Sequence, residues 1–176
     1  MSTNPPAQSL YDLSIPSTLA GCQSLLTILK KAEVHVVEQK FTPSAVLEKR
    51  LFPDMLSFTR QVQMATDTAR RGVDRLEGVV LSSVADNETS FGELIARVQA
   101  TIGRIKTADR AKIDPHLETE IEVKMGPEHT LTLTGRKYAE GFLLPNLLFH
   151  VTTAYNILRT AGVPLGKRDY LASFLS

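Results

Sequence analysis

Apolar residues recur every three or four positions in four long segments of the chain, as they do on the buried face of an amphipathic helix. The segments cover residues 14–39, 53–78, 90–106 and 141–162. Ser14 and Pro16 predict a cap and a first-turn proline for the first helix. Ser90, followed three residues later by Glu93, predicts a capping box at the start of the third. These patterns indicate four long helices.

The last segment, residues 141–162, is apolar on nearly every side. Gly162 followed by Pro164 predicts where this helix ends. A helix that is apolar all round is packed on several sides at once, so we expect this one to be the most buried of the four.

A shorter segment alternates between apolar and polar residues. Residues 120–125 and 131–133 have this period of two, and the turn residues Gly126, Pro127, Glu128 and His129 separate them. Period two on both sides of a turn predicts a β-hairpin, at about residues 119–134.

Four amphipathic helices bury their apolar faces best as a four-helix bundle, so the predicted fold class is mainly α. The connection from 107 to 134, which carries the hairpin, is long enough to cross the length of the bundle. Such a crossover would allow two neighbouring helices to run parallel. Residues 1–9 are polar and contain prolines, which predicts a loose N-terminal arm before a single domain at 10–176.

Composition and charge argue against several classes of function and location. The 176 residues carry a net charge of +1, which gives no basic surface for nucleic acid. The most apolar stretch contains Pro145, Asn146 and His150, so we expect no membrane span. The first residues have neither a basic region nor an apolar run, so we expect no secretory signal, and the single cysteine, Cys22, suits a reducing compartment. We therefore expect a cytoplasmic protein.

Asn146 and His150 are the polar residues that stand out on the last helix. They are four residues apart, so they lie on one face of it. An imidazole titrates near neutral pH and can transfer a proton on its own. We take His150 and Asn146 as candidate catalytic residues.

Four segments resemble a known family. They are RLFPDM at 50–55, RQVQ at 60–63, FHVTTAY at 149–155 and GVPLGKRDY at 162–170. They are similar to a domain-of-unknown-function family within the DinB-type four-helix-bundle superfamily, and the resemblance extends from residue 10 to residue 171. It implies a DinB-like bundle with a crossover and hairpin before the last helix, but no particular reaction.

The resemblance also bears on metal binding. In DinB-type bundles, a His-x-x-x-His pair on the last helix and a histidine on the second helix hold a divalent metal. The matching positions here are Asn146, His150 and, roughly, Gln61. One imidazole and two amides are not the ligand set of a zinc or nickel site. We expect no metal and no other cofactor.

The favoured hypothesis is a polar pocket that binds a small organic molecule. His150 would act as general acid or base in a metal-independent lyase, isomerase or cyclase. Gln61, Asp54, Thr153 and Tyr155 are candidate substrate contacts, although Tyr155 lies roughly 140° round the helix from His150 and could instead pack against another helix.

Two alternatives remain. His150 could be a core histidine paired with Asn146, Gln61 or Thr153, since buried polar groups are paired regardless of function. The protein would then be a structural or homodimeric interaction protein. The second alternative is a divalent-metal-dependent transferase of the DinB type, with His35 or Asp54 recruited as a ligand.

Overall fold

The predicted helices and hairpin are present in the structure, a computed structural model that describes residues 9–81, 83–124, 126 and 128–176. The helices are α1 (Leu10–Glu38), α2 (Pro43–Leu47), α3 (Phe58–Leu76), α4 (Phe91–Lys106), α5 (Arg110–Ile113), α6 (Gly135–Tyr138), α7 (Leu144–Thr160) and α8 (Lys167–Leu171). The strands are β1 (Glu120–Lys124) and β2 (Thr130–Thr134), and a π-helical turn (Ala139–Leu143) joins α6 to α7. The mainly helical fold class, with a hairpin before the last long helix, is confirmed. The predicted N-terminal arm, apart from Ser9, and the predicted hairpin residues Met125 and Pro127 lie outside the described residues.

Helix α1 begins one turn earlier than its sequence pattern predicted. Its cap is Ser9, whose Oγ accepts from the Asp12 backbone N–H and donates to Asp114 Oδ1 at 2.9 Å. Leu10 is fully buried. Burial of Leu10 and the bond to Asp114 place the start here, so Pro16 lies inside the helix rather than in its first turn.

Helix α3 begins later than predicted, at Phe58 rather than Pro53. Ser57 is its cap, and the Phe58 N–H donates to the Lys49 carbonyl at 2.8 Å. The Arg50 guanidinium donates to the Met55 carbonyl. These bonds hold residues 50–57 as turns instead of helix.

Helices α3 and α4 run parallel. Arg97 meets Asp67, and Arg104, two turns later, meets Asp74, so the paired residues follow the same order in both helices. The chain therefore returns along the bundle between them, through residues 77–90, which we call the return segment. The crossing lies here and not in the 107–134 connection, whose length alone would also allow it.

The 107–134 connection stays at one end of the bundle where it leaves α4. The Asp109 N–H donates to Glu77 Oε1 at 2.7 Å, and the ring Nδ1 of His116 lies 2.9 Å from the Leu76 carbonyl, both just at the end of α3. The hairpin that follows pairs Glu120 with Thr134 and Lys124 with Thr130.

The apolar core lies between the four long helices and reaches the inner side of the hairpin. In β1 the buried residues are Ile121 and Val123, as the alternation predicted. Helix α7 is less evenly buried than expected, because Leu147 is fully buried whereas Phe149 is 57% exposed. Within the described part of the chain, no helix is long and apolar enough to span a bilayer.

Candidate functional site

The candidate site lies between α3 and α7, which run antiparallel and pack closely. A Cβ on Gly72 would come within 2.3 Å of Leu143 Cδ1. The missing side chain at Gly72 lets the two helices approach. Polar residues on the facing sides of α3 and α7 therefore meet in pairs, and these pairs form the site.

His150 and Gln61 form the first pair. The His150 Nδ1 lies 2.7 Å from Gln61 Oε1, and both residues are buried. The Gln61 Nε2 donates to the Leu56 carbonyl at 3.3 Å, which fixes the orientation of the amide. Because an amide oxygen can only accept, Nδ1 carries the ring proton and Nε2 is left as the basic nitrogen.

The environment of His150 keeps its imidazole neutral. Burial lowers the pKa of His150 from its ordinary value of 6.5. Nε2 makes no hydrogen bond to any described residue, and it is not among the fully enclosed polar atoms that lack a partner, so a small part of its surface is accessible to solvent. The arrangement offers a neutral base with one nitrogen held and the other open.

Asn146 and Thr68 form the second pair. The Asn146 Nδ2 donates to Thr68 Oγ1 at 3.0 Å. Asn146 lies one turn before His150 on the same helix, but its amide is held by α3 and not by the imidazole. It lines a cleft of about 200 Å³ between α3, the hairpin and the start of α7, which we call the narrow cleft.

The other candidate substrate contacts are scattered. Thr153 is buried, and its hydroxyl donates to the Phe149 carbonyl at 2.7 Å within α7. The Tyr155 ring packs edge-on against Tyr170, with centroids 6.2 Å apart, as the alternative of packing elsewhere predicted. Asp54 is exposed in the turns before α3.

The residues at the superfamily's metal positions do not fit a divalent metal. The Gln61 oxygen faces a ring N–H, and Asn146 donates its amide N–H to Thr68, so the groups at these positions are one imidazole and two neutral amides that already bond other side chains. Within the described residues, no group of three histidine, cysteine, aspartate or glutamate side chains could hold a metal ion. A metal-dependent reaction therefore finds no ligand set here.

Cys22 is fully buried on α1. Burial raises its pKa to about 12, so the thiolate that would react is not formed near neutral pH.

Sequence reasoning missed the arginines of α3 and α4. Arg97 is 7% exposed and binds acids on α3 and on the return segment. Arg71 and Arg75 line the narrow cleft. The spacing of four between Arg71 and Arg75 places both on one helix face and could have signalled a basic cleft, whereas nothing local to Arg97 distinguishes it from a surface arginine.

Comparison with known proteins gives the family. The sequence model of the family described as "Domain of unknown function (DUF1993)" matches residues 10–171. The crystal structure of a DinB family member protein from Shewanella denitrificans is similar, with a TM-score of 0.83 and 36% sequence identity; the match covers 92% of this chain and 91% of that chain. No curated protein matches the chain. With the family match spanning nearly the whole chain and a DinB family member sharing its fold, this protein belongs to the DUF1993 family of DinB-like four-helix bundles.

Proposed function

We propose that the protein binds a small organic molecule beside α7 and uses His150 as a general base. The supporting observation is the 2.7 Å bond between His150 Nδ1 and Gln61 Oε1, which leaves a neutral Nε2 open to solvent. In the reaction a substrate C–H or O–H proton would move to Nε2 and be returned to another atom of the substrate. That exchange is what a lyase, isomerase or cyclase requires of a single base.

The surroundings of His150 are suited to an organic ligand. The exposed Phe149 ring lies edge-on to the imidazole, with centroids 5.3 Å apart. Leu56, whose carbonyl holds Gln61, is 36% exposed. Apolar side chains next to one oriented polar group are typical of small-molecule sites. His150 lines none of the best-formed clefts on the described part of the chain, so we expect a ligand to reach Nε2 from the surface and not from a deep cavity.

NMR of the His150 ring tests this proposal. Nitrogen NMR of the wild-type protein should show the Nδ1–H tautomer for His150, and a screen of small carbonyl compounds and carboxylic acids should reveal one that shifts the His150 ring signals. His150→Gln should abolish binding of that compound, whereas His129→Gln, in the exposed hairpin turn, should not. A charged ring at neutral pH, or a screen in which no compound moves the His150 signals, would count against the proposal.

A homodimer is the second candidate function, and a different observation favours it. Large apolar side chains are exposed around the end of the bundle where α3 begins, including Phe52 at 64% and Val37 at 72%. Such surface is often covered by a partner. Sizing chromatography with light scattering tests this: a dimer that becomes a monomer in Phe52→Ser would favour interaction over catalysis.

A further inference from the structure

We infer that the narrow cleft, with Arg71, Arg75 and Lys124 at its rim, is a binding site for a small organic anion. The anion's carboxylate or phosphate group would lie on these three cations, and its apolar part against Met64 and Phe142. This goes beyond the proposed function, because none of the three cations belongs to the candidate site, which shares only Asn146 and Thr68 with the narrow cleft.

The charge balance of the cleft is the first argument. Arg71, Arg75 and Lys124 face one carboxylate, Asp67, among the residues that line it. Asp67 is already engaged, because Arg97 lies 2.8 Å from it and Arg70 lies 3.3 Å from it. The Arg71 Nη2 is farther away, at 3.7 Å. The cleft therefore has positive charge that its own acid does not neutralise.

Unused hydrogen-bond donors are the second argument. The Nε of Arg71 is buried without a hydrogen-bond partner in the described part of the chain. A buried donor without a partner is uncommon in native proteins, and a ligand oxygen would satisfy it. The Arg75 guanidinium lies 6.0 Å from the centre of the Tyr138 ring and interacts with its hydroxyl, and no acidic side chain among the described residues forms an ion pair with it, so its charge is not neutralised. Burial raises the pKa of Tyr138, so its hydroxyl keeps its proton at neutral pH.

The distribution of charge between two neighbouring clefts also favours the narrow one. The same three cations also line a wider cleft of about 680 Å³, which lies between the end of α3 and β1. Glu120 and Glu122 line that wider cleft and are absent from the lining of the narrow one. The carboxylates of Glu120 and Glu122 repel an anion from the wider cleft. The narrow cleft attracts the anion instead, and there Met64, Val123 and Phe142 provide apolar contact. A guanidinium pair in one cleft with apolar side chains matches a carboxylate or phosphate attached to a small apolar group.

The experiment uses the full chain and three probes that share a ring: phenyl phosphate, phenylacetate and the neutral benzyl alcohol. Binding is followed by backbone amide NMR shifts at low salt. We expect both anions to shift Arg71, Val123 and Lys124 signals saturably, benzyl alcohol to bind at least tenfold more weakly, and added salt to weaken the anions. Preference for phenyl phosphate or for phenylacetate would distinguish a phosphate ligand from a carboxylate ligand.

Variants separate a built site from general surface charge. Arg75→Gln and Lys124→Gln should each weaken anion binding at least tenfold, whereas Arg168→Gln, which removes the same charge from the exposed end of the chain, should leave it unchanged. Lys124 is on the exposed side of β1, so its replacement does not threaten folding. Equal weakening by all three variants, equal binding of benzyl alcohol, or no saturable shift would overturn the inference. Because the readout is binding alone, its failure is distinct from a failure of His150 to act as a base.

Discussion

Arg97 Nη2 on α4 lies 2.8 Å from Asp67 Oδ1 on the parallel helix α3. The same side chain donates from Nε to Thr66 and from its remaining N–H groups to the Ala85 carbonyl, Asp86 and Glu88. All five guanidinium N–H groups of Arg97 thus have acceptors. Three of the acceptors belong to the return segment, so Arg97 attaches that segment to the bundle.

Arg97→Ala should therefore destabilise strongly. The change leaves the half-buried carboxylates of Asp67 and Glu88 short of the buried Arg97 guanidinium, and breaking a buried pair in this way costs at most about 3–5 kcal/mol. Arg60→Ala is the matched control, because its ion pair with Asp86 is well exposed, and such pairs contribute about 0–1 kcal/mol. Denaturant unfolding measures both, and limited proteolysis should cut the return segment in Arg97→Ala first. Equal losses in the two variants would contradict this role.

Stability should also depend on pH through His150. Because burial lowers the pKa of His150 below its ordinary 6.5, the unfolded chain binds the proton more readily than the folded chain. The free energy of unfolding should then fall as the pH drops below 6.5 and level off below the folded pKa. His150→Gln should remove this part of the slope, and His129→Gln should keep it. In Gln61→Glu, a carboxylate beside the ring should raise the His150 pKa and reverse the slope.

Gly135 is required where the chain enters α6. A Cβ at this position would lie 2.2 Å from the His116 carbonyl oxygen and 2.9 Å from Leu10 Cδ2. Gly135→Ala should destabilise by about 1–3 kcal/mol, as overpacking does. At Gly103, in α4, a Cβ would meet nothing within 4 Å, so Gly103→Ala should stabilise by about 0.5–1 kcal/mol. Thermal melts that rank the two variants the other way would refute the packing at α6.

Leu147 tests the burial of α7. Its side chain is fully buried and would lie 3.1 Å from a Cβ on Gly21 of α1. Leu147→Ala should cost about 2–5 kcal/mol. Leu175→Ala, at a leucine that is 83% exposed, should change stability by less than about 0.5 kcal/mol. A loss of that small size at Leu147 would contradict its place in the core.

The protein as purified should hold no stoichiometric transition metal. The reason is the chemistry of the candidate ligands, because two of the three are neutral amides that already have partners. Asn146 bonds Thr68 on α3, and Gln61 bonds His150. Elemental analysis after purification without chelator is the measurement, and addition of a chelator should leave the melting temperature unchanged. One zinc, nickel or iron per chain would contradict the prediction and direct attention to His35 and Asp54.

Local signals in the sequence located several elements well. The capping box at Ser90 and Glu93 is present. Gly78, the last residue of the second predicted segment, follows α3 with a φ of 67°, a conformation that glycine readily adopts at a helix end. Ile121 and Val123 are buried as their alternation predicted. In each case the physical cause acts within a few residues, so the sequence contains it.

Features set by distant contacts were not predictable in this way. Leu10 begins α1 because Ser9 bonds Asp114, more than a hundred residues away. The parallel arrangement of α3 and α4 shows in pairs such as Arg97 and Asp67, thirty residues apart, and no local pattern marks Arg97 as a partner of α3. At the candidate site, the amide of Gln61 was among the predicted partners of His150, but the Thr68 partner of Asn146 was not. A helix face indicates which residues share a side, whereas the facing helix decides which of them pair.

The parallel pair of helices also limits how the chain length can vary. Helix α3 has 19 residues and is therefore about 28 Å long. Residues 77–90 must cover that distance, which at about 3.3 Å per extended residue takes about nine residues. Related chains can thus lose up to about five residues here and keep the same helix directions. A larger deletion would force α4 to run the other way, and the arginines of α4 would then face the wrong acids on α3.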